Sequence, residues 1–96
     1  MSLDVASREV FISGSSVEIG RREAAVLELL LRKSGRVVSK FAIEEAAYGF
    51  GEELSSNAIE VLIHRLRKRM CDGGSDVSIH TLRGVGYILS DVAAVP

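Results

Sequence analysis

Four cations fall within five residues at Arg65, Arg67, Lys68 and Arg69, and Asn57, Val61 and His64 precede them on the same stretch. At about 3.6 residues per helical turn, Ile59, Leu62, Ile63, Leu66 and Met70 line one stripe, while Asn57, Val61, His64, Arg65 and Lys68 line the opposite one. The outward set combines an amide, an imidazole, two cations and one exposed valine. Those groups suit the edges of base pairs: arginine pairs bidentately with guanine and asparagine with adenine, and an apolar group meets the thymine methyl. Arg67 and Arg69 flank the face, within reach of phosphates on either side. From Asn57 to Met70 the balance is four positive charges against Glu60, or +3 before His64 is counted. Taken alone, the same pattern equally describes the solvated outer face of an amphipathic helix.

A second group stands at Arg83-Gly84-Val85-Gly86. Its two glycines permit a sharp turn that carries Arg83 against a sugar-phosphate backbone or into a minor groove. Other reactive types form no constellation. His64, His80 and Cys71 fit no compact ligand spacing, so no metal is expected. Cys71 lacks a paired base, and no set of acid, base and nucleophile is visible, so neither an enzyme nor a cofactor is expected. His80 is expected to face solvent on a strand. Tyr48 and Phe50, in a loop segment, suit either a protein contact or packing back on the core.

The elements that must position these groups follow from pattern and punctuation. Short apolar runs at residues 3–5, 10–12 and 17–19 are split by turn residues and predict a small antiparallel meander. From Arg21 the period lengthens, with Ala24, Leu27, Leu30 and Leu31 on one side, which predicts a helix that Gly35 stops. Val37-Val38 reads as an extended link, and Ser39 as the cap of a second helix through Ala47, with Ile43 and Ala46 or Ala47 inward. Ser55, Ser56 and Asn57 are all competent caps for a third helix to about Met70, ahead of Gly73-Gly74. Residues 77–82 and 87–89 form a closing hairpin.

With 47% hydrophobic but only 5% aromatic residues, the 96-residue chain predicts one domain over residues 1–96 around an aliphatic core. One cysteine precludes an intrachain disulfide and, with no basic-then-apolar leader and no run long enough to span a bilayer, the expected location is cytoplasmic. A formal charge of −1 argues against indiscriminate coating of nucleic acid and leaves the matter to distribution: the basic third helix lies downstream of Glu44, Glu45, Glu52 and Glu53.

Val37-Val38-Ser39, the run from Asn57 to Arg69, and Ile79-x-Thr81-x-Arg83-Gly84-x-Gly86-Tyr87 together resemble the OmpR/PhoB family of response-regulator effector domains, from about Leu3 to Leu89. The closing motif is far more specific than any single glycine pattern. The resemblance implies an α+β winged helix-turn-helix: a four-stranded N-terminal antiparallel sheet, three helices and a C-terminal hairpin wing, with the third helix in the major groove. It further implies that Asn57, Val61, His64 and Arg65 face the groove and that Arg67, Thr81, Arg83 and Tyr87 contact backbone or belong to the wing. Lys68 joins them from the outward face. The segment containing Tyr48, Phe50, Glu52 and Glu53 matches the one that touches RNA polymerase. Gly20 replaces a helix-capping threonine or serine, Leu62 a histidine and Ile88 an arginine, which implies a looser first cap and weaker nonspecific affinity.

The expected function is sequence-specific binding of double-stranded promoter DNA. A receiver domain and sensor kinase would belong to the intact regulator, and a second copy would bind in tandem on DNA. The competing expectation is a winged-helix protein-interaction module with little DNA affinity.

Overall fold

The computed structural model describes residues 2–4, 6–12, 14–49 and 57–91. Three short strands, β1 (Ser2–Asp4), β2 (Glu9–Ile12) and β3 (Ser15–Glu18), pair antiparallel in that order. The alternation in β2 turns Val10 and Ile12 inward and leaves Phe11 exposed, as a sheet with one covered face requires.

Helix α1 (Arg21–Arg32) starts at Gly20, which contributes no side-chain cap, in line with the looser cap expected from the sequence. Ala24, Val26, Leu27 and Leu30 are buried on it. Leu31, expected inward, is half-buried, and Val26 is fully enclosed. Strand β4 (Val37–Ser39) runs straight into α2 (Lys40–Tyr48). At that junction the Ser39 hydroxyl accepts a hydrogen bond of 3.1 Å from the Ala42 amide, the expected cap, of a kind that contributes about 1 kcal/mol. Ile43 and Ala47 are its buried residues, which resolves the choice between Ala46 and Ala47. Helix α3 (Ala58–Asp72) extends two residues past the expected end, with Asn57 at its N-cap position but without a side-chain cap bond. Ser55 and Ser56, the other cap candidates, lie outside the described residues.

The hairpin is β5 (Val77–Leu82) and β6 (Gly86–Asp91). The N-terminal sheet has three strands among the described residues, not the four that the resemblance implies. Val37–Ser39, expected as a link, instead pairs antiparallel with β6, giving a second sheet of order β4-β6-β5. Its apolar Val38 is 3% exposed and needs cover, which Tyr87 opposite and the helices supply.

One cluster joins all three helices and both sheets, with Val26, Leu27, Leu30 and Ile43 at its fully enclosed centre. Among the described residues Tyr87 is the only aromatic buried in it, and no polar or charged residue is buried. This is the aliphatic core that the composition called for.

Candidate nucleic-acid interface

The amphipathic pattern of α3 fixes its rotation. Ile59, Leu62, Ile63, Leu66 and Met70 are each at most 6% exposed, so the helix has a single way to sit, with Asn57, Val61, His64, Arg65 and Lys68 exposed on its outer side. Val61 at 38% exposure is an apolar group held among polar ones. Position 62, where the resemblance marks a missing histidine, belongs to the buried stripe. Lys68 reaches Asp72 one turn on at 3.5 Å, but both side chains are about two-thirds exposed, so the pair holds the cation only weakly.

The flanking arginines are tied to neighbouring elements. Arg67 is half-buried: its Nε donates to the Ile79 carbonyl at 2.6 Å, and its Nη2 donates to the Thr81 hydroxyl. Sequence spacing put Arg67 on a phosphate; the fold makes it the bridge from α3 to the hairpin. Arg69 departs further from expectation. Its Nη1 donates to the Glu18 carbonyl at 3.1 Å and lies 3.3 Å from Glu23 Oε1, fastening α3 to β3 and α1 instead of projecting freely. Glu23 Oε1 is buried and makes no hydrogen bond of good geometry among the described residues, so its contact with Arg69 is an ion pair without a directed bond.

The hairpin presents Thr81 and Arg83 to solvent, and its tip closes through the Val85 amide donating to the Leu82 carbonyl at 2.9 Å. Val85, 61% exposed, projects beside Arg83 at that tip. Tyr87 is 5% exposed and opposes Thr81 and Val38, so it anchors the root of the hairpin. Burial, followed by the nearby Glu60 carboxylate, raises its phenol above the ordinary value and keeps it neutral. Ile88 is half-buried between Val37 and His80. His80, expected in solvent, is also half-buried, with Nε2 3.0 Å from the Asp91 carbonyl oxygen.

One contact could not be read from local spacing. Lys40 Nζ donates to Glu60 Oε1 at 2.8 Å, joining the start of α2 to the first turn of α3. This bond holds the Glu60 carboxyl below its usual value and lifts the Lys40 ammonium. Both groups border a groove of about 510 Å³ that also meets Thr81, Arg83 and Tyr87 and separates the hairpin from the helices. Tyr48 is half-buried against the core, with the Arg22 guanidinium 4.3 Å from its ring centroid. Phe50, Glu52 and Glu53 lie outside the described residues. Among the described residues no helix is long and apolar enough to cross a membrane, and no group of three His, Cys, Asp or Glu side chains could hold a metal ion.

A helix with a buried stripe and an exposed polar face, bridged to a glycine-tipped hairpin, is the arrangement expected of a winged helix. Residues 14–89 match the family model described as transcriptional regulatory protein, C terminal. The chain belongs to this family, the OmpR/PhoB type. It is 44% identical over 87 residues to the response regulator protein PmrA of Pseudomonas aeruginosa, an alignment covering 91% of the chain and 38% of PmrA. It is 42% identical over 89 residues to the transcriptional regulatory protein QseB of Escherichia coli O157:H7, covering 93% and 39% respectively. Among solved structures, the C-terminal domain of the nisin resistance regulator NsrR superposes with a TM-score of 0.76 at 32% identity, covering 92% of the chain and 88% of that domain. The chain therefore spans about two-fifths of the length of the curated relatives it matches.

Proposed function

We propose that residues 1–96 form one domain that binds double-stranded promoter DNA in a sequence-specific way and regulates transcription, with α3 in the major groove and the β5–β6 hairpin as a wing. The observation that carries this reading is the exposed face of Asn57, Val61, His64, Arg65 and Lys68 on a helix whose opposite face is locked into the core. A groove-reading helix needs its rotation fixed, because a turn about its axis would exchange the residues that meet the base edges. In this assignment Asn57, Val61, His64 and Arg65 meet base edges, and Lys68 and Thr81 lie along the backbone. Arg67 braces the wing, and Arg83 works at the wing tip with Tyr87 holding the root. Tyr48 and the segment with Phe50, Glu52 and Glu53 would meet RNA polymerase.

The intact regulator would carry a receiver domain answering to a sensor kinase in the cytoplasm. Two copies would bind tandem half-sites about one helical turn apart, because one small module specifies only a few base pairs. No cofactor or catalysis is required.

Replacing Arg65 by alanine is expected to relax preference at one base position by roughly 1–3 kcal/mol while leaving the other positions unchanged. Selection of bound sequences from a random duplex pool, run on parent and variant, checks it. An Arg65→Ala profile identical to the parent's would remove Arg65 from base reading. A parent that binds no duplex at any salt would favour the protein-interaction module instead.

A further inference from the structure

The outer face of α3 has two flanks. At about 100° per residue, Glu60 and Arg67 lie on one side of it and Ala58, Arg65 and Arg69 on the other. The first flank carries the groove toward the wing, through Arg67 to Thr81 and Lys40 to Glu60. The second opens into a different cleft, of about 420 Å³, between α3 and the first turn of α1. Arg21, Arg22 and Arg65 line it, together with Val61, Tyr48 and Glu23. Glu23, 12% exposed, is paired with Arg69. Gly20, also at the cleft, adds no side chain to obstruct it.

We propose that this cleft holds a DNA backbone phosphate, contacted by Arg21 and Arg22, on the strand opposite the one the wing approaches. The proposal rests on α3 occupying the major groove, as argued above. A helix in that groove, about 12 Å wide, has a phosphate backbone along each flank. The wing serves one of these. The cleft serves the other, because Val61 and Arg65 belong both to its wall and to the exposed face of α3, making it continuous with the reading surface. A guanidinium suits the site, since its planar donors match two phosphate oxygens at once. The contact of the Arg22 guanidinium with the Tyr48 ring, 4.3 Å from its centroid, limits the side-chain freedom lost on binding.

The test compares the parent domain with R21A, R22K, the double variant R21A/R22A and R32A, each titrated with a selected duplex across a salt series. Arg32 lies at the opposite end of α1 and pairs with Glu28, so R32A removes the same charge away from the cleft. Losing two phosphate contacts is expected to make the slope of log K against log salt shallower by about 1.8 in the double variant, with the selected sequence unchanged. R21A should give about half that change, and R22K and R32A should keep the parent slope. Phosphate-ethylation interference on the strand away from the wing should disappear in the double variant, whose melting curve reports whether the fold is kept. If the double variant is unstable, the comparison of parent with R21A still reads both slope and interference. A parent that binds with α3-dependent specificity while R21A and R21A/R22A keep its slope and interference pattern overturns the cleft assignment alone. A parent that binds no duplex overturns the proposed function itself.

Discussion

Replacing Gly86 by alanine is expected to lower the unfolding free energy by about 3 kcal/mol or more, the upper range for forcing extra volume into a packed site. Gly86 is buried where β6 crosses β4, opposite Ser39. A β-carbon there would lie 2.1 Å from the Val38 carbonyl oxygen and 2.9 Å from its carbon, both backbone atoms with no rotamer to escape through. The strain would spread, because β4 continues into the Ser39 cap of α2 and then into Lys40, which holds Glu60 on α3. For a domain of this size each kcal/mol is roughly 4–8 °C in Tm, so a fall of at least about 12 °C is expected by circular dichroism. Gly84 supplies the comparison. It has φ +73° at the hairpin tip, and a β-carbon there would meet nothing within 4 Å, so Gly84→Ala bears only the backbone cost of roughly 1–2 kcal/mol. Equal melting temperatures for the two variants would mean that β4 and β6 can separate without penalty.

Replacing Arg67 by alanine is expected to cost about 3 kcal/mol of stability and to weaken binding to specific and random duplexes alike. Two hydrogen bonds from a charged donor are lost, each contributing roughly 1.5–3 kcal/mol, and the Ile79 carbonyl loses its side-chain partner. Those bonds are the polar link between α3 and β5, so the wing loses its fixed angle to the reading helix. The two effects are separable. Arg67→Lys keeps the charge but not the forked geometry, and should recover little stability while retaining the salt slope of the parent. Denaturant unfolding alongside the salt titration checks both. An Arg67→Ala domain of parental stability whose salt slope alone falls by about 0.9 would return Arg67 to the phosphate role its position in the sequence suggests.

Local pattern carried much of the architecture. The period change near Arg21, the Ser39 cap, the stripe Ile59 to Met70 and the glycine-tipped hairpin each rest on interactions within a turn or two of the chain, where spacing dictates which side chains share a face. That stripe also determined which residues of α3 remain outside, and so the content of the reading face. The hairpin motif, with Arg83 beside Gly84, was legible for the same reason.

Contacts between elements were decided elsewhere. Arg67 and Arg69 are two residues apart on one helix, yet one is drawn to β5 and the other to β3 and α1, because helical rotation aims them at different neighbours whose positions no local spacing encodes. Tyr87, expected at a backbone-contacting or wing position, is buried at the root of the hairpin, since strand alternation alone leaves open which face β4 and the helices will cover. Gly86 read as a turn glycine, but its need is steric, created by a strand 47 residues earlier at Ser39. Lys40 and Glu60, 20 residues apart, meet only once α2 and α3 have packed. The sequence by itself determined the elements and the chemistry each exposes; the tertiary structure decided which of those charges brace the fold and which are left to meet a ligand, because a charge's partner is set by packing across the core.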